Sequence, residues 1–245
     1  MARYEHIISL DHVHLPQVLL VPGLNNSGPD HWQTRWESEL PGAKRVQLGK
    51  WDDPVRNHWV NQLNLAIHKA GRPVILVAHS LGCHAVAWWA EFEQTVRSHP
   101  VVGALLVAPP DVESAEVDPR LRRFGPLIQG HLPFRSLLVA SEDDPYAQLG
   151  QAKRMARKWG SQLINAGPLG HINADSGIGS WPYGKFLLRQ LLRTAAPEIE
   201  AACSGSTALH RQRWVDSVMA NRKSFPCHDW GRSSASCCHR PYSEC

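Results

Sequence analysis

Short, almost wholly apolar runs alternate along this chain with longer stretches in which apolar residues recur every three to four positions. Gln17–Pro22, Val74–His79, Val102–Ala108, Ser136–Ser141 and Gln162–Ala166 have the length and continuity of strands buried on both faces, and Val46–Leu48 reads as a weaker one. Between them the period changes. Asp30–Leu40 sets Trp32, Trp36 and Leu40 at i, i+4 and i+8, and His58–Lys69 aligns Trp59, Leu63, Ala66 and Ile67. Further helices are predicted at Leu81–Phe92, near Tyr146–Trp159 and near Gly184–Leu192. Near-continuous apolar strands separated by helices predict an α/β fold with a mostly parallel sheet covered on both faces, and chemistry at the carboxyl ends of its strands. The stretch Pro109–Pro133, rich in proline and charge, reads as a minimal lid or a long loop. After about Ala196 the periodicity ends, apart from a brief helical hint at Arg213–Ala220. The predicted organisation is one α/β domain over 1–196 and a poorly ordered or atypical extension over 197–245.

Composition narrows the function classes. At 245 residues the chain accommodates one domain with a generous core. The net charge of +4 comes from scattered basic residues with no Lys/Arg run, which argues against nucleic acid as a partner. Met1 to Leu15 carries no sustained apolar core, and no stretch reaches membrane-spanning length, so a soluble cytoplasmic protein without a membrane partner is expected. Cys83 stands alone in the first 200 residues while five cysteines crowd the tail, which fits a reduced body rather than a disulfide framework. Cys227-His228 and Cys237-Cys238-His239 offer zinc-type side chains but lack the C-x₂-C spacing, so no metal is expected.

The candidate chemistry centres on Val74-Ile75-Leu76-Val77-Ala78-His79-Ser80-Leu81-Gly82-Cys83, an apolar strand running into a serine between small residues and then into a helix. A strand-to-helix turn that tight exposes the serine where a substrate carbonyl can reach it, provided that Ala78 and Gly82 stay small. A serine hydroxyl needs a base, and the base needs a carboxylate to fix its tautomer. The chain offers them after later strands. His171, in Gly170-His171-Ile172-Asn173, is the candidate general base, and Asp144, in Ser141-Glu142-Asp143-Asp144-Pro145, the candidate acid. Asp143 is its near rival and Asp111 a remoter one. Backbone donors for a developing oxyanion are expected from Leu81, just after the serine, and from Leu24 in the Gly23-Leu24-Asn25-Asn26 loop. Cys83 reads as a buried core thiol, and His79 and His84 as neighbours of the helix start rather than metal ligands. Asn25, Trp32, Trp51 and Trp181 are candidates for the substrate pocket, although the three tryptophans could equally pack loops.

Val21-Pro22-Gly23-Leu24, Asp30-His31-Trp32-Gln33, Trp51-Asp52-Asp53-Pro54, the Ala78–Cys83 segment, Ala108-Pro109-Pro110-Asp111 and Gly170-His171-Ile172-Asn173-Ala174-Asp175-Ser176-Gly177 together resemble the retinoblastoma-binding-protein-nine/YdeN family of small serine hydrolases. The resemblance spans roughly 15–195. It implies a compact α/β-hydrolase fold without a large cap, a Ser80–Asp144–His171 triad, and esterase-like activity without a cofactor. The expected substrate is a small acyl ester, thioester or amide. A rival reading is a protein-binding module on a hydrolase scaffold with little turnover, though nothing in the sequence indicates a protein partner. A haloalkane- or epoxide-type hydrolase would need a carboxylate at position 80, where this chain has serine.

Overall fold

The computed structural model describes residues 16–93 and 100–195; the tail readings, including its cysteines and the hint at 213–220, lie outside the described residues, as do residues 1–15. Strands β1 (Gln17–Val21), β2 (Lys44–Arg45), β3 (Val74–His79), β4 (Val101–Val107), β5 (Arg135–Ala140) and β6 (Gln162–Asn165) form a six-stranded sheet in the order β2-β1-β3-β4-β5-β6. Every neighbouring pair is parallel. The helices are α1 (Trp32–Glu39), α2 (Arg56–Ala70), α3 (Leu81–Glu93), α4 (Pro119–Arg122), α5 (Leu149–Trp159) and α6 (Pro182–Thr194).

Alternation along the strands sorts the core into two layers. Leu19, Val21, Leu76, Ala78, Leu106 and Leu138 face Trp59, Leu63 and Ile67 of α2, Val86 of α3 and Met155 and Trp159 of α5. Their neighbours Val18, Leu20, Ile75, Val77, Leu105 and Val139 face Trp32 and Trp36 of α1 and Leu187, Leu188 and Leu191 of α6. Both faces of the inner strands β1, β3, β4 and β5 are therefore dry, which is why those strands are largely apolar.

From β1 the chain moves outward to β2 and then returns to form β3 on the other side of β1. The loops after β1 and β3 diverge at this reversal, where open α/β sheets place their ligand crevice. Val21 is in register with Ala78, so the two strands end level. Buried Gln33 ties them together there, its Nε2 donating to Val77 O (3.0 Å) and Val21 O (3.3 Å) while its Oε1 accepts from Ser27 Oγ (2.6 Å).

Two predicted elements are displaced. The second strand is the polar pair Lys44–Arg45 rather than Val46–Leu48. Val46 and Leu48 are buried, but the chain turns away from the sheet there, with Leu48 N donating to Val46 O (3.1 Å) before a left-handed Gly49-Lys50 pair. The helix predicted from Tyr146 begins at Leu149, because Asp144 Oδ1 accepts from Tyr146 N (2.9 Å) and bends the backbone into a side-chain-capped turn. Pro109–Pro133 is a loop carrying one short helix, α4, and no large cap is present among the described residues. It is pinned to the loop after Trp51 by Arg120 Nη1 donating to Asp52 O (2.9 Å) and by an Arg123–Asp53 ion pair.

Candidate active site

Ser80 occupies the single residue between β3 and α3 with φ +53°, a left-handed conformation that costs a non-glycine residue about 1–3 kcal/mol. The surroundings hold it there. Ser80 N donates to Val107 O (2.9 Å), and Ser80 O accepts from Cys83 N (3.0 Å). Two glycines make the close approach possible: a Cβ on Gly82 would lie 2.5 Å from Val21 O, and one on Gly23 would lie 2.7 Å from Ser80 Cβ. The β1 loop is thereby pressed against the serine.

His171 Nε2 lies 2.8 Å from Ser80 Oγ, and its Nδ1 lies 3.0 Å from each carboxylate oxygen of Asp144. An ionised carboxylate only accepts, so Nδ1 carries the ring hydrogen and Nε2 presents its lone pair to the Ser80 hydroxyl. Asp144 is 9% exposed. Asp143 faces solvent instead; its Oδ1 accepts from Ser141 Oγ and Gly170 N, both at 2.7 Å, so it anchors the loop carrying His171. Those donors hold its carboxyl below the usual carboxylate range. Asp111 Oδ1 accepts from Glu113 N (3.1 Å) in its own loop.

The imidazole is positioned from several sides. Trp32 Nε1 donates to Ile172 O (2.8 Å), the His79 ring bonds His171 O through Nε2 (3.0 Å), and the Tyr146 ring meets His171 edge-on at 4.5 Å. Burial drives His79 well below the ordinary histidine range, with further lowering by His171 and His31. Burial, then Arg45 and His171, brings His31 to about 4. Both rings are therefore neutral near pH 7 and place no fixed positive charge beside His171. Burial pushes the Cys83 thiol far up, and Cys83 is a core side chain donating weakly to Val107 O (3.5 Å).

A cleft of about 310 Å³ opens over Ser80 and His171, walled by Leu24, Asn25, His31 and Tyr146, with Arg120 and Asn173 among its polar lining. Asn25 borders this cleft in a left-handed turn whose backbone N–H donates to Trp51 O (2.8 Å). The three tryptophans do not line this cleft. Trp32 and Trp181 are buried beneath it in a cluster with Trp36, and Trp51 packs edge-on against Trp59 at 5.7 Å under the neighbouring loop. Trp32 and Trp181 place their large apolar surface in the core, and Trp51 is partly buried against it. Leu24 borders the cleft and Leu81 opens α3, where helix amides have no partner in their own helix. His31, Tyr146 and Arg120 were not singled out as cleft residues from the sequence; only His31 carried a usable signal, its place in the Asp30–Gln33 motif. A larger groove of about 570 Å³ runs along β2 and α2, but its lining, which includes Lys44, Gln62 and Lys69, holds no serine, threonine, cysteine or histidine.

The serine hydrolase family model matches residues 18–190. The chain belongs to this family. Among relatives of this serine hydrolase, YdeN of Bacillus subtilis (strain 168) is 25% identical over 178 residues, covering 68% of this chain and 90% of YdeN. A YdeN-like protein of known structure from Pectobacterium atrosepticum is 31% identical, covers 78% of this chain and 96% of its own, and superposes with a TM-score of 0.61. The Est1E protein of Butyrivibrio proteoclasticus, solved with ferulic acid, is 11% identical over 76% of this chain and 90% of its own, with a TM-score of 0.54, and shares the fold. The hydrolase has no helix among its described residues long and apolar enough to cross a membrane.

Proposed function

We propose that the protein hydrolyses a small acyl ester, thioester or amide through Ser80, His171 and Asp144, by way of an acyl-enzyme. The observation that carries this reading is the chain of contacts Ser80 Oγ to His171 Nε2 (2.8 Å) and His171 Nδ1 to Asp144 (3.0 Å), built on a strained serine. His171 takes the Ser80 proton as Oγ attacks the carbonyl carbon. The tetrahedral oxyanion is stabilised by the Leu24 and Leu81 amides, and His171 then hands the proton to the leaving group. Water, activated by the same nitrogen, attacks the acyl-enzyme and regenerates Ser80. Asp144 fixes the tautomer and stabilises the transient imidazolium. A cleft of about 310 Å³ without a large cap suits short acyl groups.

The test is kinetic. Ser80→Ala and His171→Ala should each abolish most hydrolysis of p-nitrophenyl acetate, and the double variant should be little worse than either, because the groups act as a unit. Asp144→Asn should lower kcat by about 10³–10⁴-fold with the fold intact, and Asp143→Asn far less. Additive losses, or the reverse ranking of the two aspartates, would refute the assignment.

A further inference from the structure

The groove along β2 and α2 is larger than the cleft over Ser80 and shares no lining residue with it, so the proposed hydrolysis leaves it unused. Its volume of about 570 Å³ falls within the roughly 300–1,000 Å³ of small-molecule sites. The two ends of the groove differ. Lys44 is in register with Leu19, whose side chain faces α2, so Lys44 extends on the α2 side of the sheet. Arg45, one residue on, reaches the other side, where it pairs with Glu37 (3.0 Å) and donates to Thr34 Oγ1 (2.6 Å). Lys69 lies in the last turn of α2, and Arg72 follows that helix. Arg72 is held in place by Nη2 donating to Oε1 of Gln17 (2.6 Å), a glutamine only 3% exposed at the start of β1. Positive charge thus collects where β1 begins and α2 ends. No aspartate or glutamate lines the groove, and neither Lys44 nor Lys69 has an ion-pair partner among the described residues. The C-terminus of α2 opposes them with only about half a negative charge. Further along, the groove is apolar. Leu19 and Val46 are buried beneath it, and Ala66 and Leu65 wall it from α2, with Leu65 61% exposed to water. From Lys69 back to Gln62 this helical wall is about 10 Å long.

We propose that this groove is a second binding site, for an amphipathic carboxylate with a medium-length alkyl chain. The carboxylate lies at the end that carries Lys44, Lys69 and Arg72, and the chain runs along Leu19, Val46, Leu65 and Ala66. Charge alone would select any anion. The apolar stretch adds selection for hydrocarbon, because each methylene taken out of water there tightens binding about two- to four-fold. Inorganic phosphate gains nothing from that stretch, and an uncharged alcohol gains little from the lysines.

The experiment titrates decanoate, kept below its micelle concentration, into the full chain, with affinity read by calorimetry and location by amide chemical shifts of isotope-labelled protein. Binding should saturate, with shifts gathered at 44–47 and 62–72 rather than around Ser80 and His171. Affinity should fall by about 3–10-fold in the double variant Lys44→Gln/Lys69→Gln, as expected for the loss of two exposed ion pairs. Leu65→Glu, which removes apolar wall and adds a negative charge, should cost at least as much. Octanoate and hexanoate should bind progressively more weakly, and decanol more weakly than decanoate. All three substituted side chains are exposed, and if one variant fails to fold the other still reads the groove. Absence of saturable binding, shifts confined to the cleft, affinities unchanged by the substitutions, or decanol binding as tightly as decanoate would each overturn the proposal. Protein that ignores decanoate but adsorbs to phosphatidylglycerol vesicles overturns it too, and makes the lysines a membrane-facing patch.

Discussion

Acidification should destabilise this protein through its buried histidines, and His84 allows the effect to be isolated. His84 lies in the first turn of α3, 1% exposed, with Nε2–H donating to Pro110 O (2.8 Å) and the ring edge-on to Trp159 at 5.4 Å. Burial lowers its pKa to about 4, and the Pro110 carbonyl with the charges of Asp111 and Glu113 offsets only part of that. In the unfolded chain the ring returns to about 6.5. Above that pH neither state binds the proton and His84 contributes no pH dependence. As pH falls from about 6.5 toward 4 the unfolded state takes a proton that the folded state refuses, so stability is lost across that window. Near pH 5 the loss from this one group is about 2 kcal/mol, a sizeable share of a total of about 5–15 kcal/mol. Urea denaturation of wild type and His84→Gln at about pH 7.5 and pH 5 reads it directly, since glutamine retains a donor for Pro110 O but does not titrate. His31 and His79 add their own acid sensitivity to both proteins and cancel in the comparison. The pH-dependent loss should be smaller in His84→Gln by about 2 kcal/mol. Equal losses in the two proteins would show that His84 takes up its proton without unfolding the molecule, and would refute the reasoning.

Gly82→Ala should destabilise the fold by about 3 kcal/mol or more, because its Cβ would meet the Val21 carbonyl, a backbone atom that cannot swing aside; a denaturant midpoint close to wild type would contradict this. Trp32→Phe removes the donor to Ile172 O and should cost about 1–3 kcal/mol in thermal or chemical unfolding, with a fall in kcat as the His171 loop loosens, whereas preference among acyl lengths should not move. A changed acyl preference would return Trp32 to the pocket.

The sheet was legible in the sequence because its strands are buried on both faces and read as continuous apolar runs. One edge strand was not: Lys44–Arg45 is a two-residue polar strand with no apolar signature, and the burial of Val46 and Leu48 beneath a turn mimicked one. Ser80, Asp144 and His171 were legible because each follows a strand, and the parallel topology brings strand ends to one edge of the sheet. The tryptophans were not, since an indole packed in the core and one facing a cleft look alike in a sequence; Trp32 donates to Ile172 O, 140 residues away, and Trp181 meets the Trp32 ring at 5.0 Å, contacts that exist only in the folded chain. The roles of His31 and Gln33 were hidden for a similar reason. Gln33 bonds the ends of β1 and β3, contacts that exist only once the sheet is assembled.

The most direct test of the central claim is covalent. Folded protein treated with a fluorophosphonate should gain one adduct, mapped by mass spectrometry to Ser80, because an exposed hydroxyl partnered by a base attacks phosphorus while ordinary serines do not. Labelling should disappear in His171→Ala and slow strongly in Asp144→Asn. A folded wild-type protein that stays unlabelled, or labels at another serine, or labels equally fast without His171, would contradict the assignment of Ser80 as a nucleophile activated by His171.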